Sequence, residues 1–128
     1  MRGPSGSYQL LLWLESLRQI TVGRLGRVEF PAGWFVYNGC ARGGPAARVA
    51  RHLRGRKRRR WHIDYLLPHA RMAAVICRPG DMRDECAHSR AALALPGARV
   101  VAPGFGASDC RCPAHLVLLR ALPLKPGR

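Results

Sequence analysis

The chain has 128 residues, with 22 Lys and Arg against 7 Asp and Glu, which gives a formal net charge of +15. Its 48% hydrophobic content excludes a disordered basic tail, and its length is that of one folded domain. So large a charge indicates an anionic partner, nucleic acid first and an anionic membrane surface second. Twenty of the 22 cations are Arg. That bias favours bidentate phosphate binding, although a GC-rich coding sequence produces it too.

Neither a membrane span nor a secretory leader is expected. The longest apolar run near the N-terminus, Leu10 to Leu14, is five residues long, whereas a spanning helix needs about 18. Five cysteines are an odd number, which favours reduced thiols over a disulfide framework. We therefore expect a cytoplasmic protein.

The first half of the chain predicts strands. Residues 8–14 alternate cleanly, with Tyr8 and three leucines on one face and Gln9, Leu11 and Trp13 opposite, which is typical of a strand with both faces largely covered. "QITVG" and "GRVEF" predict a hairpin around "GRLG". "GWFVYNG" predicts another strand, with Phe35 and Tyr37 on one side.

A helix follows, opened by "GGP" with Pro45 in its first turn. The spacing predicts that Val49 and Leu53 form its buried stripe. Arg48 and His52 then lie about 100° to one side of that stripe.

The second half predicts short alternating elements. "WHIDYLL" has helical spacing, "MAAVICR" is typical of a strand, and "PGDMRDECAHSRAALAL" predicts a helix. Asp81 is its expected N-cap, with Asp84 and Glu85 in the first turn. After "ARVVA" and a Gly-rich loop, "HLVLL" predicts a last strand. The expected fold is α+β, a small, mostly antiparallel central sheet flanked by helices, in one domain over residues 6–120 with flexible ends at 1–5 and 121–128.

Four short motifs in order carry a resemblance. "GSY" (6–8), "YNG" (37–39), "RVARH" (48–52) and Glu85 resemble the GIY-YIG nuclease superfamily. "GWFVYNGCA", "RRWHIDYLL" and "GFGASDCRCPAHLVLL" resemble a poorly characterised branch of small stand-alone proteins, which also occur fused to endonuclease III-like DNA glycosylases. The resemblance covers nearly all of residues 6–119. It implies a metal-dependent endonuclease acting on DNA, with a role in DNA repair and such a glycosylase as a possible partner.

The resemblance also implies catalytic roles. Tyr8 or Tyr37 would orient or deprotonate water, Arg48 would clamp the scissile phosphate, and His52 and His62 would support the site. A tyrosine with its ring in the core and its hydroxyl at the rim is also a common structural residue of strands. Asp64 is expected to orient a neighbouring His or Arg.

The implied metal ligand is Glu85. One carboxylate plus waters and phosphate oxygens suits Mg²⁺, with Mn²⁺ as an alternative. An acid in the first turn of a helix also stabilises the helix dipole without further function.

A basic segment is expected to follow the phosphate backbone. Its predicted nucleic-acid-binding residues are Arg42, Arg51, Arg54, Arg56, Lys57, Arg58, Arg59 and Arg60. Such contacts carry no sequence information. A protein that keeps this surface without turnover, a basic DNA- or RNA-binding module, is the alternative function.

Two features depart from strong signatures. Cys110, Cys112 and His115, with Cys86 or His88, lack the two well-spaced pairs of a zinc site, so buried thiols are favoured over structural Zn²⁺.

Tyr8 and Tyr37 are 29 residues apart, where the superfamily has a tight hairpin. The extra hairpin "QITVGRLGRVEF" must therefore fold aside for the two tyrosines to meet.

Overall fold

A computed structural model describes residues 5–41, 44–54, 59–80, 85–107 and 113–121, apart from the side chain of Glu85. Within these ranges lie six strands and three α-helices. In chain order they are β1 (Gly6–Leu14), β2 (Arg18–Thr21), β3 (Arg27–Phe30), β4 (Gly33–Ala41), α1 (Pro45–Leu53), α2 (Ile63–Leu66), β5 (Arg71–Pro79), α3 (Glu85–Leu93) and β6 (Leu116–Ala121).

Four of the strands form one sheet in the order β5-β1-β4-β6, and each pair in it is antiparallel. β2 and β3 form a separate two-stranded sheet. The inserted hairpin therefore folds aside, as the spacing of the two tyrosines requires. The predicted α+β class with a mostly antiparallel sheet flanked by helices is confirmed.

The two faces of the sheet are covered differently. One face, which we call the α1 face, carries Tyr8, Leu10, Phe35 and Tyr37 and packs with Val49 of α1 in the main hydrophobic cluster. The opposite face, the α3 face, packs against α3 through a smaller cluster of Val36, Ala92 and Val117. No residue of β1 is exposed, as predicted for a strand with both faces largely covered, and the cover is more complete on the α1 face.

On the α3 face, Gln9, Leu11 and Trp13 remain half-buried. α3 contacts β4 and β6, so it covers that side of the face more completely than the β1 side.

The buried stripe of α1 differs from the predicted one. Pro45, Val49 and His52 are buried, whereas Leu53 is 62% exposed. Leu53 is the last residue of the helix. His52 takes the inward position, where its Nε2 shares a hydrogen bond with the Tyr8 hydroxyl, which offsets part of the cost of burying a polar ring.

Several predicted features lie at the edges of the described ranges. α3 begins at Glu85, and the predicted N-cap Asp81 and its neighbour Asp84 lie outside the described residues. Of the predicted flexible ends, residues 1–4 and 122–128 also lie outside them. Within them, the Ser5 carbonyl accepts a hydrogen bond from Gly80 N–H, and Ala121 is the last residue of β6.

Candidate functional site

The two tyrosines lie side by side on the α1 face. The register of β1 with β4 sets Gly39 opposite Tyr8 and Tyr37 opposite Leu10, so the tyrosines are diagonal neighbours. Their ring centroids are 6.4 Å apart. A side chain at position 39 would overlap Cζ and the hydroxyl of Tyr8. The glycine of "YNG" is therefore needed for the Tyr8 ring to lie across β4.

His52 joins the two tyrosines from α1. Its Nε2 and the Tyr8 hydroxyl share a buried hydrogen bond of 2.8 Å. The Tyr37 ring meets the His52 ring edge-on at 6.2 Å between centroids. Tyr8 is 1% exposed, Tyr37 6% and His52 3%, so this phenol–imidazole cluster lies beneath the protein surface.

Trp61 connects this cluster to Arg48. The Trp61 and His52 ring centroids are 5.9 Å apart, and Arg48 Cζ lies 4.6 Å from the centre of the Trp61 ring. Arg48 Nη1 also donates to the Cys40 carbonyl at 3.3 Å. Because the guanidinium is held by a cation–π contact and a hydrogen bond, Arg48 has a defined position beside the buried cluster.

Arg51 is tied to Asp64. Its two terminal nitrogens donate to the two carboxylate oxygens, each at 3.0 Å. Asp64 also accepts from the backbone N–H groups of Arg60 and Trp61 at 2.8 and 2.9 Å. The expectation that Asp64 orients a neighbouring Arg is confirmed, and the partner is Arg51. Since this charge is already compensated, Arg51 has less to offer a phosphate than its exposed neighbours.

Burial alone raises the pKa of Asp64, but its hydrogen bonds from Arg51 and from the Trp61 and Arg60 N–H groups outweigh burial. The net pKa lies below the usual value of an Asp.

His62 bonds to the backbone of a distant turn. Its Nδ1 accepts a 2.7 Å hydrogen bond from Gly106 N–H, and its ring packs 5.6 Å from the centroid of Phe105. An accepting Nδ1 must be unprotonated, and burial lowers the pKa of His62 below that of a free histidine. His62 thus braces the Gly106 turn, and its support of catalysis stays a prediction.

The lowered pKa of His62 makes the stability of the fold pH-dependent. The unfolded His62 takes up a proton near pH 6.5 and the folded one only at a lower pH, so the free energy of unfolding falls as the pH drops below about 6.5. Between pH 7.5 and 5.5, thermal unfolding should show a larger loss of unfolding free energy for the wild type than for His62→Gln. Because a single proton is involved, the two losses cannot differ by more than about 1.4 kcal/mol per pH unit. Equal losses in the two proteins would contradict this role.

Glu85 is the first residue of α3, which packs on the α3 face of the sheet. It lies near the part of the sheet that carries Tyr37. The neighbouring Cys86 Sγ lies 3.4 Å from His115 Nε2. A side chain on Gly106 would touch both His115 and Tyr37, so His115 lies close to Tyr37. The side chain of Glu85 is outside the description, and its role as a metal ligand stays a prediction.

The Cys and His residues that were weighed as zinc ligands, and for which buried thiols were favoured, are only partly described. His115 contacts Cys86 and both are largely buried, while Cys110 and Cys112 lie outside the described residues. Within the described ranges, no group of three or more His, Cys, Asp or Glu side chains is arranged to hold a metal ion.

The basic segment is described in part. Arg54, Arg59 and Arg60 are exposed, and Arg60 Cζ lies 5.3 Å from the centre of the Trp61 ring. Arg42, Arg56, Lys57 and Arg58 lie outside the described residues. The exposed arginines therefore lie on the surface next to Trp61, the residue that also contacts Arg48.

A family model for a domain of unknown function, DUF123, matches residues 7–124. The chain belongs to the DUF123 family. Searches of curated proteins and of solved structures gave no match.

The DUF123 match spans all of the site residues described above, including two that the sequence analysis did not single out. Trp61 lies at the centre of the arginine contacts, and Gly106 connects His62 with Tyr37. A tryptophan directly after three arginines was the available signal for the first. The second depends on contacts between distant segments. None of the described helices of this DUF123 chain has the length and apolarity of a membrane span.

Proposed function

We propose that this protein is a metal-dependent endonuclease of the GIY-YIG type that hydrolyses DNA phosphodiester bonds. The observation that carries the proposal is the 2.8 Å hydrogen bond between the Tyr8 hydroxyl and His52 Nε2, with Tyr37 beside it. A phenol bonded to an imidazole can pass a proton onward, which is what the activation of a water molecule needs.

The remaining requirements of phosphodiester hydrolysis fall to neighbouring residues. Charge on the phosphoryl oxygens must be neutralised as the attacking water adds. Arg48 suits this task because Trp61 and the Cys40 carbonyl fix its guanidinium, and a guanidinium donates two parallel hydrogen bonds to a phosphate.

Glu85 is the residue proposed to hold the metal. The donor chemistry fits Mg²⁺ or Mn²⁺, which bind through one or two carboxylates together with substrate oxygens and water. A bound divalent ion supplies Lewis-acid stabilisation of the developing charge and of the leaving oxygen.

DNA binding is proposed for the exposed arginines of the basic segment. Arg54, Arg59 and Arg60 are exposed, and the chain carries a net charge of +15. Contacts of this kind recognise the phosphate backbone of any sequence. A role in cytoplasmic DNA repair, together with an endonuclease III-like glycosylase, belongs to the same proposal.

A plasmid assay tests the proposal. Purified protein should nick supercoiled DNA in Mg²⁺ or Mn²⁺ and not in EDTA, and Glu85→Ala should lose most of the rate while still shifting DNA in a gel. Glu29→Ala removes an exposed acid of β3 and should nick like the wild type. Equal nicking by the wild type and Glu85→Ala would exclude Glu85 as the metal ligand.

The burial of Tyr8 and Tyr37 favours a second candidate function. Phenols that are 1% and 6% exposed are also suited to a purely structural role. A DNA- or RNA-binding module with this fold would shift nucleic acid in a gel in the same assay and would not nick it under any metal condition.

A further inference from the structure

A row of four side chains crosses the main sheet at the end away from Tyr8. Trp13 of β1 is paired with Trp34 of β4, Trp13 is also paired with Arg71 of β5, and Trp34 is paired with Arg120 of β6. Residues directly opposite each other in paired strands project to the same face. Trp13 belongs to the α3 face, so the order Arg71, Trp13, Trp34, Arg120 lies across that face.

The two indoles form a pair that is partly exposed to solvent. Their ring centroids are 4.7 Å apart with a tilt of 50°, and both side chains are only half-buried. Neither belongs to either of the two hydrophobic clusters of the described residues. α3 covers β4 and β6 farther along the same face.

The two arginines that end the row are exposed. Neighbouring strands lie about 4.8 Å apart, so their Cα atoms are separated by about 14 Å, with the indoles between them. Among the described residues, the arginine–aromatic stacking contacts fall on Trp61 and Tyr65. The faces of Trp13 and Trp34 are thus not taken by a described guanidinium.

We propose that this Arg–Trp–Trp–Arg row binds single-stranded DNA. Unpaired bases stack on aromatic side chains whatever their sequence, and flanking arginines hold the phosphates on either side. The bases of a duplex are already stacked on each other, so the two indoles select unpaired strands. The net charge of +15 and the two flanking guanidiniums favour a polyanion over an apolar protein partner.

The row is separate from Tyr8 and His52 of the proposed hydrolytic site. Trp13 is five residues along β1 from Tyr8, about 17 Å, and faces the other side of the sheet. A strand bound here does not cover the α1 side of the sheet, where Arg48 lies beside the buried Tyr8–His52 pair. The proposal does not depend on catalysis, and it adds recognition of unpaired strands to whatever the α1 face does.

Tryptophan fluorescence tests the proposal directly. In a Trp61→Phe background only Trp13 and Trp34 emit, and titration with a short oligo(dT) should quench them. Trp13→Val and Trp34→Val should each weaken oligo(dT) binding by roughly 5- to 150-fold, the range measured for loss of base–aromatic stacking. Unquenched emission during binding, or unchanged affinity in both folded variants, would overturn the proposal.

The arginines give a second measurement that does not disturb packing. The double variant Arg71→Gln/Arg120→Gln should reduce the slope of log affinity against log salt by about 1.4, since each single-strand phosphate contact contributes about 0.7. The matched double variant Arg18→Gln/Arg27→Gln removes two exposed charges from the β2–β3 sheet and should keep the wild-type slope. Equal slopes in the two double variants, or equal quenching by poly-glutamate, would overturn the assignment to single-stranded DNA.

The same variants separate this proposal from the proposed nuclease. Trp13→Val and Trp34→Val should nick duplex plasmid at the wild-type rate while losing oligo(dT) affinity. Glu85→Ala should lose nicking while oligo(dT) still quenches its tryptophan fluorescence.

Discussion

Tyr8→Phe is expected to slow DNA cleavage by about 100-fold or more, the range typical of a lost general acid–base group. The substitution removes only the hydroxyl that shares the 2.8 Å hydrogen bond with His52. The ring remains against Gly39 and Tyr37, so the fold should lose no more than about 1 kcal/mol, the net worth of one hydrogen bond. Single-turnover nicking of supercoiled plasmid, with protein in excess, measures the rate without interference from DNA release.

Tyr65→Phe is the matched control for this loss. Tyr65 is a half-buried tyrosine of α2 whose ring lies 5.4 Å from Arg59 Cζ, outside the cluster of Tyr8 and His52. Its variant should cleave at the wild-type rate and bind DNA normally. If Tyr8→Phe also cleaves at that rate, the phenol takes no part in proton transfer, and its hydrogen bond with His52 is purely structural.

Asp64→Ala is expected to destabilise the fold by about 3 kcal/mol or more. Removing one partner of a buried ion pair costs roughly 3–5 kcal/mol because the other charge is left uncompensated. The Asp64 side chain is fully buried and that of Arg51 is 17% exposed, and two backbone N–H groups lose their acceptor at the same time. Urea denaturation measures the loss directly.

The exposed Glu15 offers the matched charge change. Glu15→Ala should shift the free energy of unfolding by less than about 0.5 kcal/mol, as is usual for surface substitutions. A similar small shift for Asp64→Ala would mean that the Arg51–Asp64 pair does not stabilise the connection between α1 and α2. Asp64 also accepts a hydrogen bond from the Trp61 backbone N–H. In Asp64→Ala, the Trp61 ring should therefore hold the Arg48 guanidinium less firmly.

The strands were predictable because their alternation reflects burial on one face. Tyr8, Leu10, Phe35 and Tyr37 lie on the α1 face as their period of two requires. The meeting of the tyrosines depended in addition on the register of β1 with β4 and on Gly39, which leaves room for the Tyr8 ring. Neither is fixed by periodicity within a single strand.

The side chains of the site were less predictable where polar groups are buried. The hydropathy pattern predicted that Leu53 is buried, but His52 is buried instead. The hydrogen bond of His52 with Tyr8 offsets part of the free-energy cost of burying its ring. His62 bonds to a turn that is 44 residues away. The Trp13–Trp34 pair likewise follows from strand register, so an aromatic surface was not expected from sequence.

We propose that Arg48, held by Trp61 beside the Tyr8–His52 pair, acts on the scissile phosphate. The single-turnover nicking rate at saturating DNA decides this when Arg48→Ala is compared with Arg54→Ala, a variant of an exposed arginine at the end of α1. Arg48→Ala should lower the rate at saturation by at least tenfold, whereas Arg54→Ala should weaken DNA binding and reach the wild-type rate. Equal saturating rates for the two variants and the wild type, or a wild type that binds DNA and does not nick it in Mg²⁺ or Mn²⁺, would contradict the claim.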